Sequence, residues 1–74
     1  MTRLPTLNAR QVVQALKRGG FVKTGQRGSH LFLHHPATGR LTGVPIHPGD
    51  LRRGLVRQII QQAGLTEKGF RLLL

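Results

Sequence analysis

Cysteine is absent from all 74 residues, and that absence bounds what the chain can fold into. A chain of this size buries only about 60% of the surface its unfolded form exposes. Small domains commonly make up the shortfall with disulfides or thiolate-bound metals. Neither is open here, so apolar periodicity alone must build the core, and residues 1–74 are expected to form one domain. No apolar run is longer than Leu72-Leu73-Leu74, far too short to cross a bilayer. The N-terminus lacks the apolar stretch of a secretory signal. The expectation is a cytoplasmic protein with no membrane partner.

The periodicity begins with a well-marked helix. After a lead-in over residues 1–7, Asn8 stands as an N-cap with Gln11 three residues on, and Leu7 and Val12 hold the staple positions. Ala9, Val12, Val13 and Leu16 recur at helical spacing. Lys17 and Arg18 complement the C-terminal end of the dipole, and Gly19-Gly20 stops the helix. A first helix over about 9–18 follows. Phe21 to Thr24 reads as a short strand, Gly25-Gln26-Arg27-Gly28 as a polar turn, and Ser29 to His35 as a second strand. Alternation places Ser29, Leu31, Leu33 and His35 on one face and His30, Phe32 and His34 on the other. Both faces carry apolar residues, so periodicity leaves the core face open. After a turn at 36–39, Arg40 to Ile46 reads as a third strand, with Gly43 at a bulge and Pro45 marking an edge strand or a strand end. A second helix ends at Gly64, with Leu55, Val56, Ile59, Ile60 and Ala63 in one stripe. Asp50 could cap it, or Gly54 could stand at its N-terminus. Thr66 caps a short terminal helix. Two amphipathic helices can cover a three-stranded antiparallel sheet that would not be stable alone. The fold class is α+β, with the opposite sheet face or an edge left for binding.

Charge points to the partner. Twelve Lys or Arg against two acids give a formal net charge of +10. Such a charge opposes compaction, and a densely anionic partner accounts for it. Nucleic acid fits best, because Lys and Arg neutralise phosphates and release counterions. The basic residues are spread along the chain, unlike a polybasic membrane tail. An acidic protein can share the same basic face. Asp50 and Glu67 are the only side-chain carboxylates, too few for a two-metal nuclease and a poor pair for glycosidase chemistry. Histidine is the acid–base group that remains.

The four histidines are His30, His34, His35 and His47. His34 and His35 are adjacent and point to opposite faces, while His30 and His34 share a face but stand about 13 Å apart at strand rise. The set is short of metal ligands, and no metal or other cofactor is expected. His30, Phe32 and His34 could instead contact nucleic acid from one sheet face. The stretch Gly25 to His30 holds the densest chemistry. By itself such a segment reads first as an ordinary hairpin turn. Read functionally, its backbone N–H groups and Ser29 meet a phosphate and Arg27 neutralises it. An imidazole is the side chain that ordinarily titrates near neutral pH. His30 is therefore the candidate general base for a ribose 2′-hydroxyl. Arg27, Gly28 and Ser29, with Lys23 and Arg57, are the candidate RNA and phosphate contacts.

The ordered set of segments resembles the HicA toxin family over nearly the whole chain. It runs from Leu4-Pro5 and the first helix to Gly20-Phe21, then Arg27-Gly28-Ser29-His30, His35-Pro36 and Val44-Pro45-Ile46-His47. It closes with Gly54-Leu55-Val56-Arg57-Gln58-Ile59 and Gln62-Ala63-Gly64-Leu65. The resemblance implies a fold like a double-stranded-RNA-binding domain, α-β-β-β-α, with the helices on one face of the sheet. It implies a toxin that cleaves mRNA without a metal and inhibits translation, neutralised by a HicB-type antitoxin. The family's catalytic histidine falls on His30, and His47 or His35 is the candidate second acid–base group. Three features depart from the family pattern: Gly43 in the third strand, a shorter segment after His47, and Leu55 where Thr is common. The alternative is a non-catalytic RNA-binding module of the same fold.

Overall fold

The computed structural model describes residues 4–74; the first three residues of the lead-in lie outside the described residues. The first helix, α1 (Ala9–Arg18), forms where its signals place it. The Asn8 side chain accepts from the Gln11 N–H and the Gln11 side chain accepts from the Asn8 N–H, both at 2.9 Å. The reciprocal pair satisfies two donors that would otherwise be orphaned at the helix start. Immediately before it, β1 (Leu7–Asn8) pairs antiparallel with β5 (Asp50–Leu51).

The main sheet is three-stranded and antiparallel, in the order β2 (Val22–Arg27), β3 (His30–His34), β4 (Leu41–Pro45). The register settles which face is buried. Leu31 and Leu33 point into the core with their partners Val44 and Thr42, whereas Phe32 points away. The polar turn expected over 25–28 is largely strand, because Gly25, Gln26 and Arg27 pair with Phe32, Leu31 and His30. Only Gly28 and Ser29 turn the chain. Gly28 has φ +58 and Ser29 does not have a positive φ, the sign pattern of a two-residue type II′ hairpin with glycine first. The bulge also lies elsewhere than expected. Gly43 sits in regular register opposite Phe32, and the register shift falls between Lys23 and Gly25, making Thr24 the extra residue.

The second helix, α2 (Arg53–Gln62), has Arg52 as its N-cap and no side-chain cap. Asp50 does not cap it, because β5 holds that residue opposite Asn8. Val56, Ile59, Ile60 and, just past the helix, Ala63 are buried, with Leu55 partly so. Both α1 and α2 contact β4. A last helix, α3 (Glu67–Arg71), is capped by Thr66, whose hydroxyl accepts from the Gly69 N–H at 3.0 Å, and carries Phe70 into the core. The layout is α-β-β-β-α with a short extra ladder and a terminal helix.

Candidate active site and nucleic-acid interface

Cross-strand partners share a face of a sheet, so the register builds the uncovered face row by row. Arg27, His30 and Pro45 form the row nearest the Gly28-Ser29 turn. Gly25, Phe32 and Gly43 form the next, and Val22, His34 and Leu41 the last. His30 and Phe32 stack on this face, with ring centroids 6.0 Å apart and planes 28° from parallel. Gly43 makes the stack possible. A Cβ there would stand 3.3 Å from two Phe32 ring atoms and 3.5 Å from His30 Cδ2. Glycine at this position thus leaves room for the two rings.

Arg27 lies directly across from His30 on the neighbouring strand and is exposed. Gly28 and Ser29 form the turn beside them, and the Ser29 carbonyl accepts from the Ile46 N–H. That bond joins the turn to the chain beyond β4 and places His47 at the same end of the sheet as His30. The His47 Nδ1–H donates to the Pro48 carbonyl, 3.0 Å away, which leaves Nε2 available.

Three further candidates stand apart. His35 lies one residue past the far end of β3, about 16 Å from His30 at strand rise. Its Nδ1 accepts from the Thr38 N–H at 3.3 Å and its Nε2 donates to the Gly19 carbonyl at 3.1 Å. Its ring meets Phe21 edge-on at 5.1 Å. Both nitrogens are therefore engaged in holding the β3–β4 hairpin against the end of α1. Lys23 pairs with Leu33, on the opposite side from His30, because the extra residue at Thr24 resets the alternation. Arg57 lies on α2 with its Nε 2.8 Å from a Glu67 carboxylate oxygen.

Side chains of α2 that the sequence did not mark as site residues complete the surroundings. A recess of about 250 Å³ is lined by His30, Phe32, Gly43 and Pro45 from the sheet and by Leu55, Gln58, Ile59 and Gln62 from α2. A larger, mainly apolar one of about 680 Å³ shares Phe32, Gly43 and Gln62 with it and reaches Gly25, Leu41 and Thr42. Gln58 and Gln62 recur one helical turn apart, but only the docking of α2 beside β4 brings them to His30. Among the described residues, no three His or carboxylate side chains are grouped so as to hold a metal ion.

Fold and face define a class: a small, strongly basic α+β domain with an open sheet surface that bears an imidazole beside an arginine. The family model described as HicA toxin of bacterial toxin-antitoxin matches residues 9–65. That is well over half of the chain, which belongs to this family and is a toxin of a toxin–antitoxin module. Comparison with curated proteins gives no match.

Proposed function

We propose that the chain, acting as one domain over residues 1–74, is a metal-independent endoribonuclease that cleaves mRNA and so inhibits translation. The observation that carries this reading is the exposed His30 opposite Arg27 beside the Gly28-Ser29 turn, on the open face of a chain with a net charge of +10. His30 removes the proton from a ribose 2′-hydroxyl. The resulting oxyanion attacks the adjacent phosphorus, forming a cyclic phosphate as the bond to the 5′-oxygen breaks. That oxygen takes a proton from His47 or from water. Arg27 and Ser29 meet the phosphate oxygens, where charge accumulates in the transition state. His35, Lys23 and Arg57 stay outside this arrangement. A HicB-type antitoxin neutralises the toxin, and the same basic face suits a protein partner of opposite charge.

Cleavage of RNA by the purified protein in EDTA tests the reading. Wild type is expected to cut at full rate, and His30→Ala to lose about 10²–10⁴-fold while keeping its fold by circular dichroism. An absolute requirement for a divalent cation, or unimpaired cleavage by His30→Ala, contradicts it. A folded protein that binds RNA without cutting it is the non-catalytic module.

A further inference from the structure

From the surroundings of Phe32 we infer that the recess between the open sheet face and α2 is a nucleobase subsite. It holds one unpaired base of the RNA strand against Phe32, next to the ribose that His30 deprotonates. The inference rests on the ribonuclease reading for the role of His30, but not for the existence of the subsite.

Four observations carry it. Phe32 is an aromatic left 40% exposed at the centre of a sheet face, so its ring is open to a stacking ligand. It is flanked on both sides by glycines, Gly25 on β2 and Gly43 on β4, so no neighbouring side chain in its row competes for the ring. Its stacking partner on the same strand is His30 itself, which ties a base stacked on the platform to the reacting centre. Finally, the wall supplied by α2 presents amides. Gln58 and Gln62 both line the recess; Gln62 Oε1 accepts from the Thr42 hydroxyl at 3.0 Å, which leaves the Gln62 N–H groups to act as donors. Unpaired bases are bound in this manner, by stacking on aromatic rings and by hydrogen bonds to their edges. Charge fixes the occupant as nucleic acid rather than an apolar ligand. The exposed guanidinium of Arg27 borders the platform, and no carboxylate stands in any of the three rows of this face. A base held in a duplex cannot enter, because its two faces are already stacked and its edge is paired. The subsite therefore selects single-stranded RNA, and Gln62 favours a base edge that offers an acceptor.

The test uses the whole chain and a binding readout. The sequence has no Trp, so Phe32→Trp places a single fluorophore on the platform. The probe is a short single strand of 2′-fluoro RNA, which lacks the nucleophilic hydroxyl. It is expected to quench that fluorescence, and the same sequence as a duplex to leave it unchanged. Phe32→Leu, folded by circular dichroism, is expected to bind the labelled single strand about five- to a hundredfold more weakly. Gln58→Ala together with Gln62→Ala is expected to flatten the preference among probes that differ in one base. Equal quenching by strand and duplex, or Phe32→Leu binding at wild-type affinity, overturns the subsite. Cleavage of natural RNA by wild type, followed in parallel, separates the two readings. Cutting with a Phe32-independent affinity refutes the subsite alone, and Phe32-dependent binding without cutting refutes the ribonuclease alone.

Discussion

His30 and His35 lie on the same arm of one hairpin and serve opposite ends. His35 commits both ring nitrogens to backbone groups, and Gly20 is shaped around it. A Cβ on Gly20 would stand 2.7 Å from His35 Nε2, and its φ of +99 already excludes most side chains. His35→Ala is therefore expected to cost about 1–3 kcal/mol in urea denaturation while leaving the cleavage rate of the folded protein intact. Loss of cleavage with undiminished stability would reassign His35 to the chemistry. Arg27→Ala is expected to weaken RNA binding and to lower the slope of log affinity against log salt by about 1; an unchanged slope would remove Arg27 from the phosphate contacts. The grouping of Arg27, Gly28, Ser29 and His30 was legible because neighbours in sequence are neighbours in space, although the turn falls at Gly28-Ser29 and not over residues 25–28. Lys23 was not, because regular alternation puts it on the face of Arg27, and one extra residue at Thr24 sends it to the other. The Arg57 pairing with Glu67 depends on the packing of α3, which no local pattern reveals.

Helices proved more readable than strands, for a physical reason. The start of α1 announces itself through local side chain to backbone bonds, and its stripe is buried against the rest of the core. β2 has no buried residue, so no apolar alternation marks it, and its Gly25-Gln26-Arg27 reads as turn composition. The β1–β5 ladder joins residues more than forty positions apart, and it decides where α2 begins by holding Asp50 and Leu51 in strand. The stripe of α2 was legible, and Val56, 2% exposed, faces the centre of the core. Val56→Asp would bury an unpaired charge there, and loss of dispersed amide resonances in its proton NMR spectrum is the expected result. A native-like spectrum would mean that α2 presents another side to the sheet.

At the scale of the whole molecule, the segments near both ends of the described chain close the core. Leu4 and Phe70 are among its most buried side chains, yet both lie outside the stretch 9–65 that matches the family. The Arg53 guanidinium donates to the Leu4 carbonyl at 3.0 Å, and Arg18 Nη1 donates to the Leu73 carbonyl at 2.9 Å. Phe70→Ala is expected to cost about 3–5 kcal/mol, a large part of what so small a domain possesses; a shift of under about 1 kcal/mol in the unfolding free energy would show α3 to be an appendage. The helix–strand order was readable from the sequence, but this closure was not, since it consists of long-range contacts. Charge acts at the same scale. With a net charge of +10, added salt is expected to raise the melting temperature by screening self-repulsion while weakening RNA binding. Parallel changes in both would contradict the electrostatic account.

The proposed function has His30 make this chain a toxin by cutting RNA. Its most direct test is induced expression of wild type and of His30→Ala in a bacterium without the antitoxin, following growth and total mRNA integrity together. Wild type is expected to stop growth and degrade mRNA, while His30→Ala, accumulating to the same level, does neither. Growth arrest with intact mRNA, or equal toxicity of the two proteins, would contradict it.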